Sequence, residues 1–477
     1  MSGKAIVIGA GEDELVAALY LARAGYQVSV LAQHERDPAP SEGWVLPGIA
    51  RDLGLAARGL RIEHPDPWIE AVMPGGERLQ LWRDMERSVA SLRRWSEADA
   101  VQWPRFCARL RSVSSVLERL YAAPAPDPMT RDVAGLWQLA SLAWRVRRLG
   151  RRTIEDLLRI LPMPVADLLD DSFELDALKA ALGVAGVLHS FLGPRSAGSA
   201  LGLVHRHVGN PAGVFRPARS NLLSVLEKVA ATEPRIELVR DRVLGIEVRS
   251  GKARGVRTQA SKLREADAVL SGLDPRRTLL ELMDPVWIAP ELQGALRNMR
   301  SRGVSARVQV LLAEAASFTR LSLAHSLDSL ERGFDDAKYG RMSAVPVVEA
   351  VSGADHQVSV HVQYMPSARG DGGWNEQHRQ ALGQTVLAQL AASAPEFANA
   401  RIERVETPAD LESGLGWPQG QPQHAELALD QFLWMRPVPQ LARYATPVAG
   451  LYLCGPAMHP GAGVPGAAGM LAARELF

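Results

Sequence analysis

One stretch near the start, AIVIGAGEDELVAALYLARAG at residues 5–25, constrains this chain more than any other. Lys4 to Ile8 is a short run rich in β-branched residues, the pattern of a buried parallel strand. Leu15, Ala18, Leu19 and Ala22 then recur at a helical period over Glu12–Ala24, and Gly25 supplies the stop. Gln27 to Leu31 reads as a second strand, completing a βαβ unit. The turn between strand and helix carries Gly9 and Gly11, the first two glycines of a GxGxxG turn. This pattern predicts an α/β chain with a Rossmann-like nucleotide-binding domain.

A chain of 477 residues is too long for one core. Residues 88–192 have helical periodicity and little strand signal. Strand-like segments return at Ile236–Val239, Val243–Val248 and Ala268–Leu270, with a tight hairpin turn at Arg249–Lys252. Ser305–Gln363 alternates apolar and polar residues, as an antiparallel sheet does, and Gly450–Cys454 is a last strand before a Gly-rich turn and closing helix. A discontinuous nucleotide domain is therefore expected from 1–85, 200–280 and 440–477. An inserted α+β substrate domain, helical plus antiparallel sheet, is expected from 86–199 and 281–439.

The turn departs from the nucleotide pattern where ligand chemistry matters. The first glycine makes the bend and the second lets backbone approach a pyrophosphate, which rests on the helix N-terminus. The third position, which allows close helix–strand packing, is Glu14. Glu12, Asp13 and Glu14 put three carboxylates in the first helical turn, where they suit the helix dipole and oppose a diphosphate. At 4 Å and an effective dielectric near 20, one like-charge pair costs roughly 4 kcal/mol. The second strand ends in Ala32 where an acid for the ribose hydroxyls belongs.

The C-terminal stretch GLYLCGPAMHPGAGVPGAAG, residues 450–469, resembles the closing flavin motif of the phytoene desaturase-like FAD-dependent oxidoreductases, especially the branch named for a pyridine nucleotide-disulphide oxidoreductase domain. SFLGPRSAG at 190–198, GLDPRRT at 272–278 and LALDQFLWMRP at 427–437 are similar to the same branch. The resemblance implies a phytoene desaturase/amine oxidase-like fold with FAD as cofactor and an often apolar substrate. It places Gly9, Gly11, Glu14, Ala32, Val243, Gly455, Gly461, Gly463 and Gly466 at cofactor contacts, Val243 through backbone groups facing the adenine. The departures gather at the N-terminal and central contacts. Besides Glu14 and Ala32, the Arg and paired glycines that normally follow the second strand are missing from Gln33–Gly43. The family's Pro-x-Gly-Gly reads Pro217-Ala-Arg219-Ser220. Rab GDP-dissociation inhibitors, similar in architecture, carry Glu at the third glycine position and do without flavin.

No catalytic residue is assigned from the sequence. His459 in the closing motif and His424 are weak candidates for proton handling and pocket lining, against the alternatives of turn-shaping and core roles. Cys107 and Cys454 are far apart, and His205 and His207 lack a third ligand type, so neither a disulfide framework nor a metal is expected. Lys and Arg number 54 against 53 Asp and Glu, which predicts no nucleic-acid partner. The absence of a long apolar run and of a leader-like start fits the cytoplasm, with peripheral membrane contact open through Arg145–Arg152, against a solvated helix end. The function read here is a weak-flavin or non-catalytic protein with a degraded FAD site, holding an apolar small molecule or a partner protein. The alternative is an active FAD-dependent oxidase or desaturase of an apolar substrate.

Overall fold

The structure, a computed structural model, describes residues 3–32, 39–73, 75–148, 150–260, 263–370 and 372–477. Strand β1 (Lys4–Ile8), helix α1 (Glu12–Arg23) and strand β2 (Gln27–Ala32) form the expected unit. Gly25, at φ +99°, makes the stop. With β3 (Ile236–Arg240), β4 (Ala268–Ser271) and β5 (Leu451–Leu453) they build an all-parallel sheet in the order β5-β4-β1-β2-β3. Ala5, Ile6, Val7 and Ile8 are all buried, as a parallel strand covered on both faces requires. The hairpin at 249–252 forms too, with Ser250 and Gly251 both at positive φ between Val243–Arg249 and Lys252–Thr258.

A second sheet has seven strands, in the order Arg401–Glu406, Ser305–Leu311, Gln357–Gln363, Val347–Ser352, Arg320–Ser322, Ile69–Val72, Arg78–Leu81. Ser305 pairs with Gln363 and Leu311 with Gln357, so the alternating block is antiparallel as read. The 1–85 segment expected for the nucleotide domain overruns it. Ile69–Val72 pairs in parallel with Arg320–Ser322, which puts 69–81 in the seven-stranded sheet. Its outer face makes a separate core with the Glu376–Ser393 helix, through Val308, Val360, Leu382 and Val386.

Helices dominate 85–207, as the periodicity implies. The longest, α2 (Glu97–Tyr121), starts at Ser96, whose hydroxyl accepts the Asp99 N–H, and buries Trp103, Phe106, Leu110 and Leu117. Next come α3 (Val133–Arg147) and α4 (Arg151–Ile160). No helix among the described residues is long and apolar enough to cross a membrane.

Candidate functional site

In a parallel α/β sheet the ligand edge lies at the carboxyl ends of the strands. Here the chain after β1, β4 and β5 converges there. Gly9 N–H donates to Leu31 O at 2.9 Å, Gly272 N–H to Ile8 O at 2.9 Å, and Cys454 N–H to Ser271 O at 2.8 Å.

The three acids of the turn all find partners inside the chain. Glu14 folds beneath the turn, and its carboxylate accepts the N–H groups of Gly11 and of Glu14 itself. A Cβ on Gly9 would stand 2.9 Å from its Cγ, and one on Gly11 2.7 Å from Oε2. Gly272, after β4, also lies directly against Oε1. Burial pushes the Glu14 carboxyl up to about 7, with Glu12 adding to the rise and the two backbone N–H groups opposing it. Asp13 faces the other way and accepts from Gly466 and Gly469, the latter at 3.4 Å, so it caps the closing helix Ala467–Arg474. Burial, then the charges of Glu14 and Glu12, raise the Asp13 carboxyl well above the carboxylate range. Glu12 accepts the Ser41 hydroxyl at 2.7 Å.

The other sequence-read positions fall on several elements. Ala32 ends β2 opposite Arg240. The stretch from Gln33 to Pro38, part of the altered Gln33–Gly43 segment, lies outside the described residues. Val243 is buried at the start of the hairpin. In the closing turn Gly461, Gly463 and Gly466 all have positive φ. Gly455 instead packs backbone to backbone against the Gly272 carbonyl. The segment Glu42–Trp44 closes directly on this turn: Trp44 N–H donates to Gly463 O at 2.9 Å, and a Cβ on Gly43 would lie 2.7 Å from that carbonyl.

His459 is fully buried in the core beneath. Its Nε2 donates to Leu120 O at 3.1 Å, and burial brings its pKa down to about 4. His424, also buried, has a φ of +55° in the loop that Arg436 ties down. Two groups organise this core: His205, weighed from the sequence only as a metal ligand, and Arg436, not singled out there. His205 Nε2 donates to Ala462 O at 2.8 Å, leaving Nδ1 to accept the Tyr121 hydroxyl at 2.8 Å. Arg436 is fully buried and gives its N–H groups to the carbonyls of Gln423, Ala425, Glu426, Gln431, Pro456 and Met458. The stretch 427–437 singled out by resemblance contains this buckle between two loops.

Arg219 and Ser220 form a two-residue strand between Ser41–Glu42 and Ile62–Glu63. The Arg219 guanidinium donates to Ser352 O and Thr319 O, both at 3.1 Å. Beside it, Arg216 pairs with Glu349 at 2.5 Å, and Arg320 bridges Glu349 at 2.9 Å to Glu42. Burial alone would raise Glu349, but Arg216 and Arg320 bring it down to about 2. Three guanidinium groups thus meet two carboxylates where the seven-stranded sheet meets the short Ser41–Glu42 and Arg219–Ser220 strands, beside a cavity of about 10 Å³. Glu42, Arg216, Arg320 and Glu349 come from four distant segments, and only the altered Pro217–Ser220 motif pointed toward them.

Both cysteines are buried and free. Among the described residues no group of His, Cys, Asp and Glu is arranged to hold a metal. An open groove of about 530 Å³ lies between the Glu376–Ser393 helix and the Arg401–Glu406 edge strand, and none of the predicted site residues lines it.

This architecture, a discontinuous parallel sheet with a glycine turn at its ligand edge beside a large mixed sheet, is that of the FAD-dependent amine oxidase and desaturase class. Wild-type putrescine oxidase bound to putrescine has the same fold, with a TM-score of 0.58 at 16% identity, covering 100% of this chain and 98% of that one. Cyclohexylamine oxidase from Brevibacterium oxydans gives 0.54 at 12% identity, with 100% and 98% coverage. No family model matches the chain. In sequence, the chain is similar to pyridine nucleotide-disulfide oxidoreductase domain-containing protein 2. The Mus musculus protein is 29% identical, over 99% of this chain and 93% of its own length, and the Rattus norvegicus protein matches equally. One of the limonene dehydrogenase subunits of Castellaniella defragrans is 24% identical, with 99% and 94% covered.

Proposed function

We propose that this protein retains a flavin-oxidoreductase fold while its nucleotide turn has become internal structure, and that it acts as a non-catalytic partner of an enzyme handling an apolar molecule. The observation that carries this reading is the Glu14 carboxylate on the N–H groups of the turn, between Gly9, Gly11 and Gly272. A diphosphate entering here meets the Glu14 carboxyl, with the Glu12 charge nearby, rather than free N–H donors. Asp13 compounds the misfit, because it takes the N-terminus of the closing helix, the second dipole end available to a flavin dinucleotide. The residues present at the phosphate end therefore do not fit FAD, and no redox step is derived through it.

The partner role draws on the limonene dehydrogenase relative, named as one subunit of an enzyme acting on a hydrocarbon. The contrary reading, an active FAD-dependent oxidase or desaturase, draws on similarity along nearly the whole chain. Purified protein distinguishes them by its colour. The expected preparation is colourless, and added FAD leaves its melting temperature unchanged. A yellow preparation with one flavin per chain overturns the proposal.

A further inference from the structure

Helix α3 turns an apolar face outward. Val133, Leu136, Trp137 and Trp144 are all exposed, Trp137 at 74% and Trp144 at 58%. With exposed Ala140 they fall at i, i+3, i+4, i+7 and i+11, within about 100° of helix circumference. A surface helix ordinarily points such a stripe at the core. Here α3 packs on α4, and α4 is pinned to α2 by the Arg109–Asp156 ion pair at 2.6 Å and by buried Ile160. The stripe is left uncovered among the described residues.

Its charge is one-sided. From residue 133 to 154 the sequence has no Asp or Glu and five arginines, at 145, 147, 148, 151 and 152. Arg147 and Arg148 continue the same face, and the Arg148 guanidinium lies 4.5 Å from the Trp144 ring centre. Arg151 is engaged with Glu155, and the Arg145 side chain and Leu149 lie outside the described residues. Tryptophans bordered by arginines suit the boundary between acyl chains and anionic headgroups.

We propose that this face of α3 seats the protein on an anionic lipid surface, its tryptophans in the acyl boundary and Arg147 and Arg148 on the headgroups. The helix spans 15 residues and lies along the surface rather than crossing it. This inference does not depend on the flavin reading.

The test is co-sedimentation of the full chain with vesicles of pure phosphatidylcholine and of equal parts phosphatidylcholine and phosphatidylserine. Binding to the anionic vesicles alone is expected, falling with salt. Trp137→Glu with Trp144→Glu should weaken it at least tenfold, and each of Arg147→Ala and Arg148→Ala about five-fold. All four side chains are exposed, so melting temperatures should hold; a variant that fails to fold is replaced by Trp137→Ser. Absence of vesicle binding by the parent protein overturns the proposal, as does binding indifferent to lipid charge or to these substitutions. A self-associating dimer dispersed by Trp137→Glu, seen by sedimentation velocity, also overturns it and assigns the face to a second copy.

Discussion

The two glycine turns at the carboxyl edge of the parallel sheet differ in how far they keep the expected pattern. In the first, Gly9 and Gly11 survive, but Glu14 and Ala32 occupy the positions that speak to a nucleotide. In the closing turn every glycine expected by resemblance is present. The geometry explains the contrast without a ligand. Gly463 has a φ of +100° with its α-carbon face against His205, and Gly455 lies on a neighbouring carbonyl. Such positions penalise any side chain whether or not flavin is bound. Glycines in these turns therefore report the fold, while the acid and third-glycine positions report the ligand.

The largest effect should come from Gly455→Ala. Its methyl would enter the Gly272 carbonyl, a backbone contact with no side chain to yield. A loss of about 3 kcal/mol or more is expected by urea denaturation. A near-neutral result would mean the two strand ends separate easily, as around an inserted cofactor.

Glu14 sharpens the same comparison through pH. Its folded-state value of about 7 exceeds the ordinary 4.5, so the folded chain holds this proton more tightly than the unfolded chain. The favourable contribution is complete below the unfolded value and is lost as pH rises toward 7. The loss amounts to about 3 kcal/mol, at ~1.4 kcal/mol per unit. Glu14→Gln should remove that slope, read as the difference between parent and variant in denaturation midpoints across the range. Identical pH profiles would place the Glu14 carboxylate in water rather than beneath the turn.

Gly463→Ala should cost about 1–2 kcal/mol from its positive φ, with no change in the binding of any ligand. Weaker ligand binding at an unchanged melting temperature would show that the closing turn still faces a bound molecule. The smallest effect concerns restoration. Glu14→Gly with Ala32→Glu should raise FAD affinity by about tenfold, or ~1.4 kcal/mol, measured by fluorescence quenching of the flavin. Unchanged affinity in the folded double variant would move the obstacle to Arg219–Ser220 and the ion pairs around it.

The nucleotide unit was legible because its signals are local: β-branched strand, 3.6-residue period and glycine stop all lie within residues 4–31. The Ser305–Gln363 alternation was legible for the same reason. The strands at 69–72 and 78–81 were not, because their place depends on parallel pairing with Arg320–Ser322, some 250 residues downstream. At the site, the acid triplet itself was legible in the sequence. The sequence did not show that three successive side chains leave one helical turn toward Ser41, Gly469 and Gly11. The Glu42–Arg320–Glu349–Arg216 chain of ion pairs was invisible for a related reason: each member is an ordinary charged residue until the seven-stranded sheet meets the segments around Glu42 and Arg216.

The Asp13–Gly469 hydrogen bond joins residues 456 positions apart. It has a consequence for how the protein is made. On the ribosome, β1, α1 and β2 emerge close together, yet β1 gains its second neighbour only with β4, and α1 meets the helix that contains Gly469 later still. Each of these closures carries loop entropy before any contact repays it. The βαβ unit thus completes its native surroundings late, and the β4-facing edge of β1 stays open to chaperones until residues 268–271 have been made.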